Sequence, residues 1–519
     1  MIIHLRNLFV LLLLFPTILF AQSSDPLPRS NPETEGVSST DIIKFLDTLG
    51  RTSNEFHSLM ILRHGKVVAE GWWNPYGPLL RHTMYSTSKS FTSTAVGFAV
   101  SEGKIKLSDK LVSFFPGELP DTVSAKLANL SLKEVITMSD GQRPDPTIGA
   151  MGADNWAKYF LSRPIVDTPG ENFLYNSLGT YMLSAVVQKV TGQTILDYLK
   201  PRLFDPLGIS GIDWETSPQG IDAGGWGLRL KTEDMAKFGK LFLQKGNWNG
   251  KQILSSDWVD EATSYKINQV PNLPPDQRAQ NDWAQGYCYQ FWRCRHNAYR
   301  ADGAFGQYII VMPDQDAVIA ITSETASMQN ELNLIWTFLL PAFRSEKISA
   351  DPVGDSMLKE RLAKLALVPT RQIENPTLQK EMSGKKFKLD SSEWKFENIS
   401  FQFGNKECTI HLSQGGQDFP ISFGEGHWNL GETRVPGSPP SIIRAAKGPY
   451  ADLGPSKYAA SYTWRDASTL ELAVRYIESP HSQYLVCHFE NGTLTIEFDG
   501  SVQRMARRKN PVVKGVLVN

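Results

Sequence analysis

Ser86 and Lys89 stand three positions apart in Met84-Tyr85-Ser86-Thr87-Ser88-Lys89-Ser90-Phe91, a spacing that puts both side chains on one face of a helix. A lysine held there and partly desolvated loses its proton near neutral pH. It can then take the proton of the serine hydroxyl, which turns a weak nucleophile into a strong one. The pattern alone is weak, because Ser101, Ser356, Ser383 and Ser392 also precede a lysine by three. Context separates Ser86: residues 87–100 are small and apolar enough for a buried helix, with a loop signal at Gly103. Ser101 falls at the end of that helix, and the other three lie in charged, lysine-rich surroundings. Taken by itself, Ser86 is equally suited to be a helix N-cap hydroxyl.

Tyr175 is the second candidate. Pro169-Gly170 opens a turn that runs through Phe173-Leu174-Tyr175-Asn176-Ser177 into an apolar helix at 178–190, ended by Thr191-Gly192. A tyrosine just before a helix, flanked by amide and hydroxyl side chains, suits a loop-borne site; a packed aromatic with its hydroxyl satisfied by backbone is the alternative. His82, four residues before Ser86, reads as structural or surface, since no third partner accompanies it. His411, His427, His481 and His488 read as surface or core residues rather than metal ligands. There is no Gly-x-Ser-x-Gly nucleophile elbow, which sets a conventional α/β-hydrolase aside.

The elements that must position these residues alternate along the first two thirds of the chain. A short helix is expected at 40–49, then a hairpin at 59–72 turning at His64-Gly65. The Ser86 helix follows, then a short helix at 131–141 closed by Gly141, an irregular stretch to Asp167, and the helix after Tyr175. A helix from Thr232 to Lys245 stops at Gly246, and 265–283 reads as a long polar loop. Strands are expected at 287–292, 299–307, 308–312 and 317–322, with a closing helix at 328–343. Strands at both ends with helices between predict one α/β (α+β) unit whose sheet is completed by distant segments. Beyond Pro341 a linker carries a charged helix at 356–367. From about Met382 short alternating segments, the last two joined by Asn491-Gly492, predict a small all-β C-terminal domain, a barrel or a sandwich. The expected division is a signal peptide at 1–21, a catalytic domain at 25–345, a linker at 346–380 and the all-β domain at 381–510.

At 519 residues, with 41% hydrophobic and 21% charged side chains and a formal net charge of −1, the chain is an ordinary globular protein without the basic surface that polyanion binding requires. Residues 8–20 form an apolar run preceded by His4 and Arg6 and followed by Ala21 and a polar stretch. This fits a secretory signal peptide cleaved after Ala21, hence a periplasmic or secreted protein; the run is short of the ~20 residues that span a bilayer. The four cysteines include no Cys-x-x-Cys pair. Cys288 and Cys294 would lie ~20 Å apart on one extended strand, too far to bridge unless a turn intervenes. Cys408 and Cys487 sit in two alternating segments that could be neighbours, which leaves a disulfide open.

With Ser86-Thr87-Ser88-Lys89, Tyr175-Asn176-Ser177 and Ala301-Asp302-Gly303 in that order, residues 30–345 resemble the penicillin-recognising serine hydrolases. The resemblance is to the class C β-lactamase-like branch, which includes esterases, DD-peptidases, D-aminopeptidases and 6-aminohexanoate-dimer hydrolases. Pro169-Gly170, Val190-Thr191-Gly192, Gly224-Gly225 and the stretch 246–251 look like the family's landmarks. The resemblance implies a β-lactamase/transpeptidase-like domain with a central antiparallel sheet and a helical region. It implies Ser86 as the acylated nucleophile, Lys89 as its activator and Tyr175 as the proton relay to the leaving group. The N–H groups of Ser86 and Ala304 would hold the oxyanion, with Gly303 and Ser177 beside the substrate, and a cationic Lys89 would favour the phenolate of Tyr175. No metal or cofactor is required. The expected partner is a small-molecule or short peptide or ester substrate.

Two departures bear on specificity. Many relatives carry Tyr-Ser-Asn where this chain has Tyr175-Asn176-Ser177. The third motif lacks the lysine that engages a substrate carboxylate, unless Arg300 substitutes for it. The leading expectation is therefore an exported serine hydrolase of esters or amides. A DD-peptidase, a D-aminopeptidase or a β-lactamase is the alternative within enzymes, and a non-catalytic ligand-binding protein the alternative outside them.

Overall fold

The computed structural model describes residues 26–370, 373–392, 394–443, 454–506 and 510–518. The expected signal segment at 1–21 lies outside the described residues. A six-stranded antiparallel sheet carries the spatial order Lys66–Trp72, Glu55–Arg63, Ala317–Glu324, Gln307–Met312, Tyr299–Gly303, Trp292–Arg293. The N-terminal hairpin thus lies against the last strand of the helical region, as in the pairings Ile61↔Ile319 and Leu59↔Ile321. Strand Glu55–Arg63 is apolar on both faces because both are covered. Leu59 and Ile61 pack with Ile42 and Phe45 of helix Ser39–Leu49 and with Leu332, while Met60 and Leu62 join the core of the helical region.

Helix Ser88–Ser101 is buried from Ser88 to Ala99 and lies against helix Ser177–Thr191. Gly97 in its middle costs about 1 kcal/mol relative to alanine. The reason for it is close packing, since a methyl group there would overlap the indole of Trp258.

The C-terminal strands form a barrel. Among the described residues, nine of ten strands close a ring when strand Gln417–Glu425 pairs parallel to Ser456–Trp464, and the tenth, Asn429–Thr433, continues along the same edge. The final strand Val512–Leu517 pairs with the first, Lys386–Leu389, so no open edge is left between the ends. The expected hairpin turns at Asn491 (φ 47°) and Gly492 (φ 77°). Phe387, Phe401, Trp464, Phe489, Cys408 and Cys487 fill the interior.

Where the barrel docks on one end of the six-stranded sheet, an apolar cluster of Tyr76, Ala459 and Ile477 is joined by ion pairs. Glu55 and Glu324 sit directly opposite each other across two strands, an arrangement of like charges that is unfavourable alone. Arg475 of the barrel pairs with Glu55, at 3.0 Å from Nη2 to Oε2, and Arg504 pairs with Glu324 at 3.1 Å.

Several expectations are corrected. The segment 287–292 is a tight turn rather than a strand, with the Cys288 N–H donating to the Phe291 carbonyl at 2.9 Å and only Trp292–Arg293 extended. The strand drawn to 307 ends at Gly303, and Phe305 (φ 67°) and Gly306 (φ 91°) turn the chain into the next strand. The helix at 131–141 is only Leu132–Ile136, because Met138 (φ 58°) bends the backbone away. The linker helix is Pro352–Ala363: Asp351 caps it through the Gly354 N–H at 2.8 Å and Pro352 occupies its first turn. All four cysteines are buried free thiols; Cys408 and Cys487 belong to strands that are not adjacent in the barrel.

Candidate active site

Ser86 lies in the single tight turn Tyr85–Thr87 that feeds helix Ser88–Ser101. It is partly exposed, while every other residue from His82 to Ala99 is buried. Neither the turn nor the helix is capped by a side chain, so the N-cap alternative does not apply. Instead the Ser86 hydroxyl lies 3.1 Å from Lys89 Nζ. Lys89 is 1% exposed, and its Nζ also lies 2.9 Å from Ser177 Oγ and 2.7 Å from the Gly225 carbonyl. Burial brings the amine down to about 7, with Asp145 and Asp302 opposing the shift. In its neutral form the amine would have two hydrogens for Ser177 and Gly225 and a lone pair for the Ser86 hydroxyl.

Gly225 reaches Lys89 because Gly224 takes φ 65° and because a side chain at 225 would collide with the Ser177 carbonyl. The departure at 175–177 has a structural account as well. Asn176 is the buried N-cap of helix Ser177–Thr191, accepting from Gly179 N at 3.0 Å, and its amide donates to Asp140 Oδ2 at 3.0 Å and Gln142 Oε1 at 3.2 Å. Ser177 is the residue that faces Lys89.

The ring of Tyr175 lies under Lys89 Nζ at 4.7 Å and stacks on Trp292 at 5.9 Å, with its hydroxyl beside Ser86. Burial among aromatics raises its pKa, and Asp302 and Asp145 add to the effect. The expected phenolate is thereby corrected: burial outweighs the amine over the ring face, whose own pKa is lowered, and leaves Tyr175 a phenol.

The third segment closes the other side. Gly303 passes so near the Ser86 turn that an added methyl would overlap the carbonyl of Met84. Thr87 Oγ1 donates to the Gln307 carbonyl at 2.8 Å, and Gln307 Nε2 donates to the Ala304 carbonyl at 3.1 Å. Ser323 Oγ lies 2.8 and 2.9 Å from the carbonyls of Phe305 and Gly306. These contacts hold the turn that carries Ala304 beside Ser86.

Arg300 does not substitute for the missing lysine. It is fully buried beneath Trp283, with its Nε donating to Asp302 Oδ2 at 2.8 Å and its Nη1 to the Asp282 carbonyl at 3.2 Å. His82 is a buried structural residue, with its ring nitrogens 3.0 Å from His57 Nδ1 and 3.2 Å from the Thr83 carbonyl. Among the described residues no His, Cys, Asp or Glu cluster could hold a metal ion, and no helix is long and apolar enough to cross a membrane.

Sequence reading missed the Gly225 carbonyl, although Gly224-Gly225 is visible as a landmark. It also missed His481, a barrel residue hydrogen-bonded to the hydroxyl of Tyr85. No local pattern around 481 signals that role.

A family model described as Beta-lactamase matches residues 57–339. A 6-aminohexanoate-dimer hydrolase from Paenarthrobacter ureafaciens is 24% identical over 281 residues, covering 50% of this chain and 71% of that protein. A beta-lactamase from Escherichia coli K12 is 24% identical over 204 residues, covering 34% of this chain and 52% of the relative. Among solved structures, a putative 6-aminohexanoate-dimer hydrolase from Bacillus anthracis aligns with a TM-score of 0.49 at 21% identity, over 61% of this chain and 87% of that one.

Proposed function

The chain belongs to the beta-lactamase family, and we propose that it is an exported serine hydrolase that cleaves an ester or amide through an acyl-enzyme on Ser86. The observation that carries this reading is the shell around Lys89: a buried amine, brought to about 7, sits 3.1 Å from a partly exposed serine hydroxyl. In the acylation step Ser86 Oγ attacks the carbonyl carbon and forms a new C–O bond, while its proton passes to neutral Lys89. The N–H groups of Ser86 and Ala304 hold the oxyanion. As the tetrahedral species collapses, the scissile C–N or C–O bond breaks, and Tyr175 passes a proton to the departing amine or alcohol and is reprotonated from Lys89. Water then attacks the acyl carbon, and Ser86 leaves with its proton restored.

The buried, paired state of Arg300 supports a substrate without a carboxylate anchor over a β-lactam or a D-alanyl peptide. The test is a fluorophosphonate probe with mapping of the modified peptide, followed by rates on p-nitrophenyl esters, amides, D-amino-acid amides and β-lactams. Modification at Ser86 with turnover of esters or amides is expected. Failure to label Ser86, or β-lactam hydrolysis as the fastest reaction, would overturn the reading.

The pH dependence follows from Lys89. The reactive form is the neutral amine, so kcat/KM is expected to rise as pH passes upward through about 7 and then level off. Asp145 opposes the downward shift by favouring the charged amine, so Asp145→Asn should move the midpoint to lower pH. A profile flat from pH 5 to 9 would contradict Lys89 as proton acceptor.

A further inference from the structure

The loop that joins barrel strands Thr469–Tyr476 and Ser482–Glu490 ends beside the catalytic turn rather than in solvent. Its Glu478 carbonyl accepts from Thr83 N at 3.0 Å, and its Ser479 carbonyl accepts from the Tyr76 hydroxyl at 3.3 Å. The Glu478 carboxylate lies 3.4 Å from Arg81, 3.3 Å from Lys457 and 3.8 Å from Arg229. Within the loop Tyr476 N donates to the His481 carbonyl at 3.0 Å, and Ser482 Oγ donates to Glu324 at 3.0 Å. The loop is thus anchored on both sides of His481, which is 1% exposed.

His481 touches two backbone positions that ordinary L-residues rarely occupy. Tyr85, immediately before Ser86, has φ 46°, and its hydroxyl is hydrogen-bonded to His481 Nε2. Phe305, immediately after Ala304, has φ 67°, and its ring meets the imidazole edge-on at 4.8 Å and 90°. Left-handed backbone at bulky residues is strained and persists only where surroundings enforce it. Ser86 and Ala304 carry the two N–H groups assigned to the oxyanion, so the orientation of both donors depends on these flanking residues.

We propose that His481 is a positioning residue supplied by the C-terminal barrel, a clamp that fixes the two halves of the oxyanion site by holding Tyr85 and Phe305 together. The inference rests on the acyl-enzyme reading above. It makes the barrel part of the active site and explains why a separate β-domain is seated against the nucleophile turn. The clamp acts on geometry that the tetrahedral species needs and the bound substrate does not, so its loss falls on kcat.

The experiment compares the full-length wild type with His481→Ala, His481→Gln, Tyr85→Phe and the Tyr85→Phe/His481→Ala double variant. It uses a p-nitrophenyl ester and the rate of fluorophosphonate labelling, with circular dichroism and melting as controls. A misplacement of about 1 Å can cost about 100-fold, so kcat of His481→Ala should fall about 10- to 100-fold with KM changed less than about twofold. His481→Gln, whose amide reaches the place of Nε2, should restore most of the rate, and the double variant should be no worse than the poorer single one. A His481→Ala variant within about twofold of wild type in kcat, or a loss confined to KM, would overturn the clamp. If His481→Ala does not fold, Gln and Tyr85→Phe decide: near-normal kcat in Gln with a loss in Tyr85→Phe upholds it, and no loss in Tyr85→Phe overturns it. A wild type that never labels at Ser86 overturns the acyl-enzyme reading and the clamp with it; a labelled wild type matched by His481→Ala overturns the clamp alone.

Discussion

Replacing Ser86 with alanine is expected to lower kcat by about 10⁵-fold or more on the best ester or amide substrate, with the fold and melting behaviour retained. The side chain is partly exposed and makes no cap, so its removal deletes the proposed nucleophile and little structure. Lys89→Met is expected to cost about 10³- to 10⁴-fold, the scale of a positioned proton acceptor. It also removes an amine whose burial lowers its pKa to about 7 and so costs the folded state stability at neutral pH; the variant should therefore be at least as stable as wild type, although Ser177 Oγ and the Gly225 carbonyl lose their partner. The double variant should be no slower than Ser86→Ala alone, because without the hydroxyl there is no proton for the amine to accept. Additive losses would show that Lys89 acts on something other than Ser86. Steady-state rates of the three variants, with urea unfolding of each, check these expectations.

Gly303→Val should be nearly as damaging for a different reason. A β-carbon at 303 meets the carbonyl of Met84, and it also comes within 3.0 Å of Thr87 Oγ1 and of the Gln307 side chain. The closing strand must then withdraw from the nucleophile turn and take Ala304 with it. Removal of one oxyanion donor costs about 10²- to 10³-fold, and kcat of Gly303→Val should fall by about that amount with KM less affected. A variant that folds and keeps wild-type kcat would show that the approach of this strand to Ser86 does not matter to the reaction. The contrast with Gly97 is useful: the indole of Trp258 fills the space there, so Gly97→Val should act on stability, whereas Gly303→Val acts on rate.

The local geometry around the candidate residues was legible in the sequence, while their roles came from the order of three motifs that resembles the family. The separation of Ser86 and Lys89 is a property of one helical turn, and the Tyr175-Asn176-Ser177 corner is read from the turn and helix around it. Turn chemistry placed the hairpins at His64-Gly65 and Asn491-Gly492, both of which adopt left-handed backbone. Short range also explains the errors. The apolar, aromatic stretch at 287–292 has strand propensity, yet contacts with the rest of the molecule hold it in a turn, and the strand through 299–307 gave no warning of the break after Gly303.

What the amino-acid order determined by itself is which chemical groups are present and which of them share one turn of backbone: a serine, a lysine on its face, a tyrosine at a helix entrance and an apolar run able to bury the lysine. Only the tertiary structure decided what state those groups are in. The pKa of Lys89 near 7 is set by burial against Ser177 and Gly225. Tyr175 is kept a phenol by the aromatics packed around it, and Arg300 is withdrawn from the cleft by Asp302. His481 comes to the nucleophile turn from the far barrel. Spacing along a helix is fixed by covalent geometry, whereas desolvation and charge depend on whatever surrounds a group, and here those surroundings come from segments distant in the chain.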